Sequence, residues 1–146
     1  FDEDFFAYME DVDLDLRLQL LGYPCYYLPQ AVVRHAGSGS TAPRSELVIF
    51  YGHRNLVWTF FKDMPGWLFW VMLIPHLLAN LIYLLAALFF SFRGAMARAK
   101  WEALKGLPKA WKKRRLVQST RKASVGSIAR LLDWNPLAPL IKLTYR

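Results

Sequence analysis

From Pro65 to Phe92 the chain carries no formally charged side chain, and no other stretch restricts its fold as much. Roughly 28 residues at about 1.5 Å each give about 42 Å of helix, against about 30 Å for the hydrocarbon core of a bilayer. Pro65 suits a helix start. Pro75 is expected to kink or break the helix, because it lacks an N–H and its ring clashes with the preceding turn. A core helix of a soluble domain is the ordinary alternative, but so short a chain offers little core to cover it. His76 and Asn80 are the polar interruptions and should sit against protein or headgroups.

Charge divides unevenly on either side of this run. The chain carries a net +8, yet Asp2, Glu3, Asp4, Glu10, Asp11, Asp13 and Asp15 crowd the first 22 residues. Most of the nineteen Lys and Arg lie beyond residue 92, against only Glu102 and Asp133. Hydrophobic content of 55%, with six Trp and ten Phe, favours a membrane partner over a highly charged soluble chain. Cys25 is single, which excludes an intrachain disulfide and is compatible with a reducing compartment. The organisation expected is three stretches: residues 1–62, a hydrophobic membrane-associated segment 63–92, and a basic helical tail 93–146.

In the acidic stretch, aromatic residues Phe1, Phe5, Phe6 and Tyr8 are interleaved with the carboxylates. Partly desolvated carboxylates have raised pKa values and suit proton abstraction. The plainer reading is that Glu10, Asp11 and Asp13 open a helix, where acids complement the helix dipole. Val12, Leu14, Leu16, Leu18 and Leu20 alternate as in a strand. Against this stand the acids at the start, Gly22 at the end and the i,i+4 pair Asp13–Arg17. On these residues alone strand and helix both stay open.

Two short pieces follow, Cys25–Leu28 and Ala31–His35, punctuated by Pro24 and Pro29; this pattern reads as edge strands. Ala36–Ser45 is a loop by composition. Arg44 within it would approach an anionic ligand if the loop closes, and is otherwise part of a plain linker. Glu46–Phe61 reads as an aromatic-rich helix with Ser45 as its N-cap. From Arg93 to Lys122, cations alternate with Trp101, Leu104, Leu107, Trp111 and Leu116, as in a basic amphipathic helix on a membrane surface. Gly106 and Pro108 are expected to break it in two. No base-reading module accompanies the cations, so a nucleic-acid partner is not expected. From Ser119 to Arg146 the sequence reads only as a mixed, partly helical tail.

The order of residues over roughly 1–62 is more specific than their composition. Phe1-Asp2-Glu3, Phe5-Phe6, Tyr8 and Glu10-Asp11-Val12-Asp13-Leu14 are followed by Arg17, Gly22, Tyr27, Pro29, Ala31, His35 and a Gly-Ser loop. This series resembles the closing segment of the catalytic domain in family 2 glycosyltransferases, particularly the bacterial rhamnosyltransferase-like branch. The resemblance implies an α/β architecture, the C-terminal part of a GT-A domain, and inverting sugar transfer from a nucleotide-sugar donor. It also implies a helix over about Asp11–Leu21, with Leu14, Leu18 and Leu21 as its inner stripe. Asp11 matches the base that deprotonates the acceptor hydroxyl, and Glu10 would shape the acceptor side. His35 would join a divalent cation, Mg²⁺ or Mn²⁺, at the leaving diphosphate, or else cap a strand end. Arg54, in an Arg-Asn pair, would reach the diphosphate or order the surrounding loops through hydrogen bonds; the second is favoured.

The family's donor-nucleotide half, with its Asp-x-Asp motif, has no counterpart here, so the chain reads as a C-terminal fragment that is inactive alone. The expected acceptor is a cell-envelope glycan or its lipid-linked precursor. The expected location is the bacterial cytoplasmic membrane, with the catalytic part facing the cytoplasm. A single span would put that part and the cation-rich tail on opposite sides, against the positive-inside rule. A re-entrant helix broken near Pro75, or one lying in the interface, is therefore preferred. The rival reading is a non-enzymatic membrane anchor or assembly subunit whose acidic helix docks a basic partner.

Overall fold

Each helix begins and ends largely where local chemistry directs it. The structure, a computed structural model, describes residues 1–34, 45–89 and 92–135. After a 3₁₀ turn at Glu3–Phe5 come α1 (Glu10–Leu20), α2 (Glu46–Asp63), α3 (Gly66–Ala87), α4 (Arg93–Ser119) and the short α5 (Val125–Ala129). The Ser45 hydroxyl accepts the Val48 N–H at 3.3 Å, capping α2 as its position suggested. At the end of α1, Tyr23 N–H bonds Leu18 C=O at 3.0 Å and Gly22 N–H bonds Gln19 C=O at 2.9 Å. Gly22 adopts φ +89° there, the left-handed turn of a Schellman motif.

No strand occurs among the described residues, which overturns the α/β, GT-A architecture expected of this chain. Cys25–Leu28 and Ala31–Arg34 form no sheet; His35, the end of the second piece, lies outside the described residues. The reason is pairing. A strand needs a neighbour for its N–H and C=O groups, and residues 22–34 are exposed throughout.

The centre is a pair of helices, α2 and α4, running in the same direction. Their contacts advance together, from Glu46–Arg98 (2.7 Å) through Trp58–Ala103 (3.0 Å) and Phe61–Arg114 (3.0 Å) to Asp63–Gln118 (3.1 Å). Close approach rests on a stripe of small residues in α4, where Ala95, Ala99, Ala103 and Ala110 are buried. Gly106 continues it, and a Cβ there would lie 2.3 Å from the Trp58 ring. Gly106 is therefore where a ring crosses the helix, and α4 runs unbroken through it and through Pro108, contrary to the expected break. Pro108 removes one N–H from the ladder, and in the adjoining turn the Trp58 indole N–H bonds the Ala103 carbonyl.

Helix α3 runs antiparallel to both, pairing Phe69 with Phe61 (5.5 Å between ring centres), His76 with Phe60 (4.1 Å) and Tyr83 with His53 (5.2 Å). It too is continuous, so Pro75 does not break it. Its contacts with α2 and α4 run from Phe69 to Tyr83. The opposite face, including Trp67, Trp70, Ile74, Leu78, Ile82 and Leu85, is exposed. Where α3 begins, Leu20 of α1, Leu68, Ile128 and Ala129 close a small core.

The inward face of α1 also differs from expectation. Asp13 and Leu20 are its buried residues, whereas Leu18 is exposed and Leu14 and Leu21 are half-buried. A buried cation on α2 faces α1 there, so an acid, Asp13, takes the inner position where a leucine was expected.

Candidate functional site

The loop leading into α1 holds three residues with positive φ: Phe6 (φ +61°), Tyr8 (φ +63°) and Met9 (φ +67°). None is glycine, and each such residue costs on the order of 1–3 kcal/mol unless its surroundings enforce it. The enforcement comes from α2. The Asn55 amide, fully buried, donates to the carbonyls of Phe5 (2.9 Å), Ala7 (2.8 Å) and Tyr8 (2.8 Å). Arg54 donates to the carbonyls of Asp4 (2.9 Å) and Phe5 (3.1 Å), and its Nε–H to Asn55 Oδ1 (2.9 Å). Its guanidinium lies 4.2 Å from the Trp58 ring centre and 4.8 Å from that of Tyr51. In this structure Arg54 therefore orders the loop, the role its Arg-Asn context favoured.

The clamped loop places Glu10 and Asp11 in the first turn of α1. Asp11 is exposed, and its Oδ1 accepts the Val12 N–H at 2.8 Å. Glu10 is half-buried, with Oε2 enclosed and making no hydrogen bond. One carboxylate is thus open to solvent while its neighbour is partly enclosed. His35 and Arg44, the other two sequence candidates, lie outside the described residues. Among the described residues no three His, Cys, Asp or Glu side chains converge as a metal site would require.

Beneath the loop lies an ionic cluster that sequence reasoning found only at the Asp13–Arg17 pair. Asp13, Lys62 and Asp63 are all buried. Lys62 pairs with Asp13 and, at 2.7 Å, with Asp2, while Arg17 meets Asp13 at 2.9 Å. From α4, Lys113 reaches Asp2 and Asp4, each at 2.5 Å, and Lys109 reaches Asp4 at 2.5 Å. Lys109 and Lys113 of α4 are therefore turned to the N-terminal acids and one face of α4 packs on α2, while Trp101, Leu104 and Leu116 remain exposed. Between the turn, α2 and α4 a cleft of about 100 Å³ remains, lined by Asp2, Asp4, Trp58, Lys62 and Lys113. No local motif marks Lys62 or Asp63; their partners are some 50 residues away in the chain.

Burial pushes the Asp2 carboxyl up, but hydrogen bonds from Lys113 and Lys62 outweigh it and hold it at about 2. Asp63 goes the other way: burial, then the charge of Asp13, push it up to about 8. A hydrogen bond shared with Asp13 favours the protonated form further. A folded pKa above the ordinary 3.8 means that folding favours protonated Asp63. Its contribution is fully present below about pH 4 and is lost as pH rises through about 8. Asp2 has the opposite sign, contributing above its ordinary pKa and losing that contribution as pH falls through about 2. Asp63→Asn is accordingly expected to flatten the decline in urea midpoint between about pH 4 and about pH 8. A variant whose pH profile runs parallel to the parent's would show that Asp63 does not titrate in that window.

Comparisons with known proteins bear on what this clamp serves. The chain is 41% identical over 70 residues to N-acetylglucosaminyl-diphospho-decaprenol L-rhamnosyltransferase from two strains of Mycobacterium tuberculosis. The match covers 46% of this chain and 22% of each relative, so the chain spans about a fifth of their length. It establishes a relationship to a glycosyltransferase. No family model matches the chain, and no solved structure matches it.

Proposed function

We propose that this chain supplies the acceptor-side, membrane-facing part of an inverting glycosyltransferase of family 2. The observation carrying the reading is the strained loop before Glu10-Asp11, held by five hydrogen bonds from Arg54 and Asn55 to the carbonyls of Asp4, Phe5, Ala7 and Tyr8. Strain of this kind persists where a catalytic group must be presented at a set angle, and the 41% match to a rhamnosyltransferase supplies the reaction class. Asp11 acts as base toward an acceptor hydroxyl as that oxygen attacks the sugar's anomeric carbon, while Glu10 forms the adjoining wall. The acceptor is lipid-linked, by analogy with the diphospho-decaprenol named for the relatives. A divalent cation would neutralise the leaving diphosphate. The described side chains do not form a ligand set for it, and no step here depends on one.

The membrane arrangement follows from packing. Helix α3 is long and apolar enough to cross a bilayer, and only 11% of its most apolar window is buried, which is unlike the core helix of a soluble domain. Yet α2 and the cation-rich α4 lie along its inner face, and carrying them into lipid would desolvate many charges. Helix α3 therefore lies in the interfacial plane, its exposed face in the acyl region, with Trp67 and Trp70 near headgroup depth. That α3 is continuous through Pro75 favours this arrangement over a re-entrant one.

The test is an assay of the full-length protein with nucleotide-linked L-rhamnose and a polyprenyl-diphosphate-linked N-acetylglucosamine. Transfer with inverted anomeric configuration, read by NMR of the product, is expected. Transfer with retention would reject the single-base mechanism. Absence of transfer across a panel of nucleotide sugars would leave the chain as an anchoring element.

A further inference from the structure

Between α3 and α4, against α2, runs a groove of about 200 Å³ whose walls include Leu77, Leu81, Leu84 and Leu104. One place in it is polar. Lys100 of α4 donates to the Asn80 amide oxygen of α3, beside His76, whose ring lies flat on Phe60 with 4.1 Å between ring centres. Lys100 enters no ion pair among the described residues. Helix α3 holds no carboxylate, Glu46 of α2 is paired with Arg98, and Glu102 of α4 is paired with Lys105. The neighbouring imidazoles supply no charge either. Burial and then the charge of Lys100 push His53 and His76 down to about 4, so both are neutral in the physiological range. His53 Nδ1 and His76 Nε2 are enclosed and make no hydrogen bond. A half-buried ammonium with only neutral neighbours favours an anion that can share its apolar surroundings.

The groove opens on its apolar side. Leu77, Leu81 and Leu104 are each half or more exposed, and the first two adjoin the face of α3 placed in the acyl region. With α3 at that depth, Lys100 on its packed side lies at the level of lipid phosphates. There a lysine stem runs over apolar surface while its ammonium meets headgroups. We propose that this groove binds one anionic phospholipid of the surrounding bilayer, its phosphodiester on Lys100 and His76 and the start of an acyl chain along Leu77, Leu81 and Leu104. The inference rests on the interfacial placement of α3 proposed above and is independent of the chemistry at Asp11. A zwitterionic lipid fits less well, because its own cation already neutralises the phosphate. At about 200 Å³ the groove is smaller than the roughly 300–1,000 Å³ of sites that bury a drug-sized ligand. It therefore takes the phosphate and glycerol region and leaves the rest of the chains in the bilayer. A lipid held in this way ties α3 and α4 to one depth at the membrane surface.

The experiment is native mass spectrometry of the full-length protein released from a nonionic detergent, with phosphatidylglycerol and phosphatidylcholine added in equal amounts. Retention of one phosphatidylglycerol in preference to phosphatidylcholine is expected, and millimolar inorganic phosphate should not displace it. Lys100→Gln should reduce that preference about tenfold, the size of one lost charge-assisted hydrogen bond, without lowering thermal stability. Lys100→Arg should keep it. Arg98→Gln removes an equal charge from the exposed side of α4, where Arg98 pairs with Glu46, and should leave the preference intact. Leu84→Trp fills the groove and should lower retention with no change of charge. The inference is overturned if the parent shows no preference, if inorganic phosphate displaces the lipid, or if Lys100→Gln and Leu84→Trp both retain the preference. It is overturned equally if Arg98→Gln lowers the preference as much as Lys100→Gln does. Flotation with phosphatidylcholine vesicles reports on α3 by itself, and Ile74→Asp on its exposed face should weaken it while leaving lipid retention in detergent unchanged. Flotation indifferent to Ile74→Asp would reject the interfacial placement alone, and flotation lost as expected without selective retention would reject the groove alone.

Discussion

Asp11→Asn in the full-length protein is expected to lower turnover by at least ~10²-fold, the contribution of a positioned general base, while donor binding and folding stay intact. The side chain is exposed, and its hydrogen bond is the local one to the Val12 N–H, which an Asn carbonyl oxygen can also accept. Asp15 provides the control, since it is an exposed carboxylate on the same helix, and Asp15→Asn should change turnover little. Asp13→Asn should behave differently from both, because Asp13 is buried between Lys62 and Arg17 and its loss reads as instability. Near-normal turnover in the Asp11 variant, measured under donor saturation, would remove the mechanism proposed for this loop.

Lys62→Met is expected to cost on the order of 3–5 kcal/mol, the range for breaking a buried ion pair by deleting one partner. Lys62 is 2% exposed and serves Asp2 and Asp13 together; its ammonium also sits 4.6 Å from the centre of the Phe5 ring. Without it, Asp13 retains only Arg17, and Asp2 retains Lys113 at the protein surface. Urea denaturation measures the loss, and the double variant with Asp13→Asn should recover part of it, because the two residues are coupled. A loss below about 1 kcal/mol would mean that the cluster's Coulomb gain merely balances its desolvation.

Features decided within one or two helical turns were legible in the residues themselves. Ser45 caps α2 because its hydroxyl reaches an N–H three residues on. Gly22 ends α1 because only a glycine takes φ +89° without strain. The Asp13–Arg17 pair follows from i,i+4 spacing, and most of the uncharged run forms α3, Pro75 notwithstanding. Glu10-Asp11 was singled out by the family resemblance and not by composition, and the bonds from Arg54 to the loop carbonyls of Asp4 and Phe5 depend on the tertiary structure.

What depended on partners distant in the chain was not legible. Alternating leucines in α1 gave no hint that Asp13 would face inward, since that depends on Lys62 arriving some 50 residues later. Gly106 and Pro108 read as breaks because the Trp58 ring that occupies the space beside Gly106 belongs to α2. Nothing local marks Lys109 and Lys113 among the cations of α4 as the two that meet Asp4 and Asp2. Residues 23–34 have the composition of strands, yet a strand forms only when a second one satisfies its backbone, and none does so here. Local propensity determined where the helices run; tertiary packing decided which of their faces are buried, which charges are neutralised, and that Asp11 is exposed while Asp13 is not.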